Sequence, residues 1–485
     1  MFMWNTTLPP DFTPGVEGQR VMGSFNLIPV VDEGLGNSSY LLDLGDGRAL
    51  VMDPERDLRQ VRSEASRRGL SIAYAVETHL HADFISGVAG LAGIEGATVL
   101  APEVGPRGFA HTGLRDGQTV EMGRFTLQAL HTPGHSPEHL SYVLLEDGDL
   151  AGIFTGGSLM VGTAGRTDLV SPDMTVSLAR AQYRSLQRLM EFPDSTPVWP
   201  THGAGSFCSA GGSGDRVTTI GAERATNPLL QVDGEDSFVD ALLGTLGTFP
   251  GYFLRLGEIN KRGPAVLQVE SGLTPLTADQ VSTLAGQGAQ VIDARQPADY
   301  AAGHVPGSLS IPFRPVFASW LGWLATPARP VVIIRGPEQD PADIATAAAK
   351  VGFDTLAGEL DGGYPAWTQE HAGADAVSLI GPGQLIDRMQ AGDAVLDIRQ
   401  SGEYVAGHLP GAVNIELGYL AENLAEAPAG PVIVMCGHGE RAMGGASILA
   451  ASGRSGIAVF NGGPKDWASA AGRAVETGTG LAAAK

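Results

Sequence analysis

The chain has 485 residues, 17% of them charged and 43% hydrophobic, with a formal net charge of −22. This fits a well-buried globular protein of about three domains rather than a disordered chain, and the acidic balance argues against nucleic acid or an anionic membrane as partner. No apolar run reaches the roughly 18 residues a spanning helix needs, residues 1–12 lack a signal-peptide pattern, and two cysteines, Cys208 and Cys436, make no disulfide framework, so a reducing cytoplasm is the expected compartment.

Residues 20–54 alternate apolar runs with turns, and the runs at 25–31, 39–44 and 49–53 read as strands. Residues 58–69 have helical spacing and stop at a glycine. The next expected strand, 72–76, delivers Thr78-His79-Leu80-His81-Ala82-Asp83-Phe84. Two histidines and a carboxylate at alternate positions beyond a strand can aim several metal-binding side chains into one cleft, and imidazole suits Zn and Fe. Expected strands near 98–101 and 125–130 lead to His131-Thr132-Pro133-Gly134-His135-Ser136. A strand pair, 140–145 and 151–155, leads to Gly156-Gly157-Ser158, and Pro200-Thr201-His202-Gly203 follows. Strands followed by helices, twice over, predict a layered α/β sandwich. Residues 206–215 read as a loop. Cys208 has no neighbouring cation to lower its thiol pKa and reads as structural. Residues 236–244 and 250–253 read as helical packing, and a linker begins at Asn260-Lys261-Arg262-Gly263-Pro264.

The order of these polar clusters resembles the metallo-β-lactamase superfamily. The words Glu77-Thr78-His79-Leu80-His81-Ala82-Asp83, His131 to His135, Gly165-Arg166-Thr167-Asp168 and Thr219-Ile220-Gly221-Ala222-Glu223-Arg224 are similar to bacterial persulfide dioxygenases of its glyoxalase II-like branch. The resemblance implies iron held by the equivalents of His79, His135 and an aspartate, but Gly157 stands where that aspartate is expected. Phe84 stands where a second-site histidine is expected. A binuclear hydrolase needs both. What remains is a three-histidine set, His79, His81 and His135, with an open position for Fe(II) or Zn and with Asp83 and His202 orienting the imidazoles. The alternative is a metal-free cleft. Arg166 matches the family position that holds the carboxylate of a glutathione-type substrate; the alternative is an ion pair with Asp168. His111, His131 and His139 are given no role.

The rest of the chain is duplicated. Val291-Ile292-Asp293-Ala294-Arg295 with Gly303-His304-Val305-Pro306-Gly307 returns as Val395-Leu396-Asp397-Ile398-Arg399 with Gly407-His408-Leu409-Pro410-Gly411, an offset of 408 − 304 = 104 residues. Asp361-Gly362-Gly363 before Trp367 returns as Asn461-Gly462-Gly463 before Trp467. Each unit alternates strand runs with Ala-rich helical runs, the mark of a parallel sheet flanked by helices. Both units resemble rhodanese domains. Arg295 with Asp299, and Arg399 with Glu403, are expected ion pairs, and His304 and His408 are expected to stabilise turns. After the strand at 432–435 comes Cys436-Gly437-His438-Gly439-Glu440-Arg441. Backbone N–H groups and a helix dipole there favour the thiolate, with His438 and Arg441 adding positive charge and Gly437 and Gly439 shaping the substrate loop. This matches the rhodanese active loop, and the resemblance implies a Cys436 persulfide. In the first copy Arg335 replaces the cysteine.

The expected architecture is therefore an αββα metallo-β-lactamase-like sandwich over 1–262, an inactive rhodanese-like α/β domain over 263–375 and a rhodanese domain over 376–485. The resemblance implies a cytoplasmic sulfur-metabolism fusion protein, linked to hydrogen sulfide and glutathione chemistry. Its partners would be a low-molecular-weight thiol persulfide or thiosulfate and a thiol acceptor, and a homodimer is expected by resemblance alone. Alternative readings are a catalytically dead scaffold with sulfurtransferase activity only, and a mononuclear metal-dependent hydrolase.

Overall fold

A computed structural model describes residues 25–105, 107–208, 214–267, 272–371 and 375–478. The expectation for residues 1–12, and the 209–213 part of the expected loop, lie outside the described residues.

Six strands form the first sheet in the order β1 to β6: Leu27–Asp32, Asn37–Asp43, Arg48–Met52, Ser71–Val76, Thr98–Pro102 and Thr112–Leu114. The second sheet runs β14-β13-β10-β9-β8-β7. Its members are β7 (Thr119–Met122), β8 (Phe125–His131), β9 (Leu140–Glu146), β10 (Asp149–Gly156), β13 (Pro197–Pro200) and β14 (Thr218–Thr219), with the small hairpin β11 (Leu159–Met160) and β12 (Thr163–Ala164) between. In β8, Phe125, Leu127 and Ala129 are buried and the residues between them half-buried, the period-two signature of a strand packed on one face. Those side chains meet Tyr40, Leu50, Val76, Tyr142, Phe154 and Trp199 in a core between the sheets. Burial of each Leu, Val or Phe among them contributes roughly 1.5–3 kcal/mol. Helices Arg59–Arg67 and Val88–Glu95 cover one outer face, and Thr175–Leu189 with Gly234–Thr245 the other. This is the expected αββα sandwich.

Two five-stranded parallel sheets follow. The first repeat runs β15-β19-β18-β16-β17, with β15 Pro275–Leu276, β16 Gln290–Asp293, β17 Leu309–Ser310, β18 Val331–Ile334 and β19 Gly358–Leu360. The second runs β20-β24-β23-β21-β22, with β20 Ser378–Ile380, β21 Ala394–Asp397, β22 Val413–Asn414, β23 Val432–Met435 and β24 Ile457–Phe460. The strand order is identical, as a duplication requires. Both central strands, β18 and β23, are buried along their whole length because helices cover both sheet faces. His304 and His408 stack on Tyr300 and Tyr404, each with ring centroids 3.8 Å apart, and bond the same tyrosine's carbonyl through Nδ1 at 2.9 Å. They hold the turns as expected.

The expected ion pairs are different. Arg295 bonds Asp293 and Arg399 bonds Asp397, each at 2.6 Å, because an aspartate two residues earlier at the strand end accepts both the arginine backbone N–H and its guanidinium. Glu403 is left to bind Arg441.

The N-terminal domain and the first repeat share one apolar core. Phe84, Ile85, Tyr252 and Leu256 pack with Ile311, Phe317, Leu321 and Val351. Buried Arg56 bonds Ala349 O at 3.1 Å and pairs with Asp354, and Lys350 pairs with Asp32. The expected linker start also changes: helix Tyr252–Arg262 runs through Asn260 and ends at Gly263, whose φ of 90° suits glycine.

Candidate functional site

The His79 loop is fixed from beneath by Asp53. This residue follows β3 with φ at 46°, a left-handed conformation that aspartate tolerates better than most residues. Its carboxylate accepts from Thr78 N at 2.7 Å, from Thr78 Oγ1 at 2.8 Å and from Thr201 Oγ1. One carboxylate thus ties the 78–84 loop to the strand end that carries His202. From the other side Asn260 Nδ2 donates to His81 O at 2.7 Å and Phe84 O at 2.8 Å.

Three imidazoles converge in this cleft. His79, His135 and His202 are all buried, and each offers a ring nitrogen within 4.8 Å of the others'. Their outer nitrogens have defined partners. His135 Nδ1 lies 2.8 Å from Arg166 O, a carbonyl that can only accept. His202 Nδ1 lies 2.7 Å from Asn37 Oδ1, the amide oxygen whose Nδ2 donates to Asp83 Oδ2 at 2.9 Å. His79 Nδ1 lies 2.8 Å from Thr78 Oγ1, whose single proton is already given to Asp53. In all three, Nδ1 must therefore carry the proton, and Nε2 is left as a lone pair. Burial and the neighbouring histidines keep His79 well below its ordinary pKa and His135 down to about 3. The His79 and His135 rings are therefore held neutral, the form that binds metals.

His79 Nε2 and His202 Nε2 are 3.3 Å apart. Two nitrogens held at 2.0–2.1 Å from one tetrahedral ion are about 3.3–3.4 Å apart. The donor set thus fits a divalent ion that accepts imidazole nitrogen. The sequence expectation named His81 as the third donor; in the structure His202 joins His79 and His135 instead. His81 Nε2 lies 3.2 Å from Asp53 Oδ1, and neither His81 ring nitrogen makes a hydrogen bond. Burial disfavours its charged form, but the Asp53 carboxylate outweighs this and raises its pKa. Asp83 Oδ2 lies 3.3 Å from His202 Nδ1 and accepts from Asn37 Nδ2 at 2.9 Å.

A second group, His81, Asp83 and His202, is also close-set. Asn37 occupies His202 Nδ1, and Phe84 fills the expected histidine position with a ring stacked on His81 at 4.2 Å. Gly157 has a steric reason: a Cβ there would lie 2.3 Å from His135 Cδ2. Its N–H donates to His139 Nε2 at 3.0 Å, and His139 stacks beside His79 at 5.0 Å. His139, Asn37, Asp53 and Asn260 therefore shape the cleft, and the sequence reading missed them; a polar residue ending an apolar strand was the one available signal, at Asp53.

Arg166 does not face an open cleft. It is 2% exposed. Its fork takes Asp168 at 2.7 and 2.9 Å, and its remaining protons go to Phe207 O at 2.9 Å, Gly247 O at 2.7 Å and Thr248 O at 3.5 Å. The ion-pair alternative describes its geometry.

At the end of β23, Gly439 N donates to Cys436 Sγ at 3.1 Å. Gly439 adopts φ 89° and caps helix Glu440–Ala451, so the helix N-terminus sits at the sulfur. Arg441 stands beside the loop, bidentate to Glu403 at 2.6 and 2.8 Å. His438 is exposed and Gly437 half-buried on the same loop. In the first repeat, Arg335 and Gln339 close the equivalent loop: Arg335 pairs with Glu359 and reaches Gln339 O at 3.0 Å, and Gln339 Oε1 takes Gly336 N at 2.8 Å.

A metallo-β-lactamase superfamily model matches residues 32–202, and a rhodanese-like domain model matches 277–370 and 381–470. The chain belongs to the metallo-β-lactamase superfamily and carries two C-terminal rhodanese-like domains. Its N-terminal domain is homologous to persulfide dioxygenases: the mitochondrial persulfide dioxygenases ETHE1 of Bos taurus and Homo sapiens are each 30% identical over 203 residues, 41% of this chain and 73% of theirs. A crystal structure of a metallo-β-lactamase from Staphylococcus aureus superposes with a TM-score of 0.63 at 27% identity, covering 70% of this chain and 99% of that one. No helix among the described residues is long and apolar enough to cross a membrane.

Proposed function

We propose that the chain handles persulfide sulfur at two centres. Cys436 is a sulfurtransferase nucleophile that carries sulfane sulfur as a persulfide. The observation that carries this reading is the Gly439 N–H on Cys436 Sγ at a helix N-terminus, in a loop that the first repeat has lost. Backbone donors and the dipole stabilise the thiolate and, after transfer, the terminal persulfide anion. Arg441, held by Glu403, adds positive charge beside the loop. Thiosulfate or a low-molecular-weight persulfide is the donor, and a thiol is the acceptor.

In the N-terminal centre His79, His135 and His202 would hold Fe(II) or Zn. Bound there, the ion supplies a Lewis-acidic position for a sulfur anion and, as iron, redox chemistry with O2. Thr78, Asn37 and the Arg166 carbonyl hold the three imidazoles in the ligating tautomer, and Asp83 anchors Asn37. Phe84 and Asn37 close the second position, against a binuclear hydrolase. The saturated Arg166 fork favours a second reading, in which this domain is a scaffold and transfer at Cys436 is the sole activity.

Thiosulfate-to-cyanide transfer, iron and zinc content without chelators, and O2 uptake on glutathione persulfide test these readings together. Transfer with metal and uptake supports both centres; transfer without uptake leaves the scaffold reading; no transfer removes the Cys436 reading.

A further inference from the structure

Cys436 is 1% exposed. The space beside it is a cavity of about 270 Å³ whose walls come from all three domains. The second repeat contributes the active loop. The first repeat contributes Arg314 and Trp320, although it has no cysteine of its own. The N-terminal domain contributes Phe207, on the loop that follows His202.

These walls are fastened to each other. The Phe207 ring meets Trp323 edge-on at 5.0 Å, and Trp323 stacks on Trp320 at 5.4 Å with 7° between the planes. The Phe207 carbonyl is held by Arg166. Arg314 pairs with Glu440 at 2.6 Å, joining the two repeats beside the active loop. Ser319 Oγ donates to Gly34 O at 3.0 Å, and a Cβ on Gly34 would fall 1.7 Å from Pro315 O, so the seam is closed at backbone contact.

A cysteine on a folded protein must bring its sulfur to bonding distance, about 2 Å, of the attacked sulfur. With Cys436 buried beside a cavity of about 270 Å³ that opens to solvent, a small molecule can reach the sulfur, whereas a cysteine held on a folded protein surface cannot. We propose that Cys436 exchanges sulfur with low-molecular-weight donors and thiols inside this three-domain chamber, that protein thiols are excluded, and that Phe207 and Trp320 set the size limit. This rests on the sulfurtransferase reading above. With thiosulfate, the Cys436 thiolate attacks the sulfane sulfur, the S–S bond breaks and sulfite leaves with the electron pair. An acceptor thiolate then takes the terminal sulfur of the Cys436 persulfide, releasing an acceptor persulfide and the Cys436 thiolate.

The test uses the full chain, thiosulfate as donor, and cyanide, glutathione or reduced thioredoxin as acceptor. The expected kcat/KM for thioredoxin is roughly tenfold or more below that for glutathione. F207A and W320A should raise the thioredoxin-to-glutathione ratio, and Trp320→Phe should return it toward the wild-type value. Comparable rates with both thiols, or an unchanged ratio in folded variants, would overturn the proposal. A second measurement needs no variant: iodoacetamide should modify Cys436, by peptide mass mapping, and a maleimide on a long polyethylene glycol should not. Equal labelling overturns the chamber. Absent cyanide transfer in the wild type would instead remove the sulfurtransferase reading, and the labelling would still decide the chamber.

Discussion

His79 Nε2 and His202 Nε2 face each other at 3.3 Å, and both imidazoles donate their Nδ1 protons outward, to Thr78 and to Asn37. Two lone pairs at that distance repel unless a cation lies between them. Removing His202 takes away one of three donors, whereas His81 lies outside the set. H202A should lower divalent-metal affinity by on the order of 10–100-fold, and H81A by much less. Metal content after equilibrium dialysis against a competing chelator reads both. Equal losses would contradict the assignment of His202 over His81.

Gly157 lies against His135. A side chain there starts 2.3 Å from His135 Cδ2, and overpacking of this kind costs about 1–3 kcal/mol. Gly157→Asp should lower the melting temperature and should not raise metal content. A stable variant with more iron would show that the ring has room to move.

Acid should weaken the chelated protein. Burial first, then neighbouring histidines, lower the pKa of His79 and His139, and bring His135 to about 3. In the unfolded chain these groups titrate near 6.5. Below that pH the unfolded state takes up protons that the folded state refuses, so this contribution is complete above about 6.5 and is lost toward 3, by roughly 1.4 kcal/mol per pH unit for each histidine. His81, with a raised pKa, runs the other way: its contribution is present below 6.5 and lost as pH rises through its folded value. Among the cleft histidines three stand against one, a net loss on acidification; His304, also lowered by burial, adds to it, and Glu55 and Glu223, raised by burial, oppose it. The urea midpoint should fall between pH 7 and pH 5, and His135→Asn should flatten that slope. A midpoint independent of pH would contradict the neutral-histidine account.

The two cysteines should separate cleanly. Cys208 is fully buried, and burial holds its thiol well above the ordinary pKa. Cys208→Ala should cost on the order of 1 kcal/mol of stability, as a small buried truncation does, and keep sulfur transfer. Cys436→Ala should keep the fold and reduce transfer to background. Denaturation curves alongside thiosulfate-to-cyanide rates check both; loss of transfer in folded Cys208→Ala would contradict a structural role.

Several of these features were legible in the sequence. Strands followed by helices, twice over, predict a layered α/β sandwich, the resemblance carried by the His79-His81-Asp83 and later histidine words implies its αββα form, and the return of the 291–307 pattern 104 residues later predicts the duplicated parallel sheets. Cys436 stood out because the aligned position in the first repeat is Arg335. What was not legible depends on contacts between distant residues. Choosing His202 over His81 requires the position of Asn37 on β2, and no local pattern marks that asparagine. For Arg166 the sequence leaves a substrate-binding fork and an ion pair with Asp168 both open, because its other partners, the carbonyls of Phe207 and Gly247, carry no side-chain signal. The chamber wall at Phe207 exists because the 203–208 loop meets the first repeat, a seam that neither domain's motifs announce.

The most direct test of the account is the intact mass of the full chain after incubation with thiosulfate and removal of excess reagent. The full chain should gain one sulfur atom, localised by peptide mapping to Cys436, lost on adding cyanide and absent in Cys436→Ser. No mass gain, or an equal gain in the Cys436→Ser protein, would contradict it.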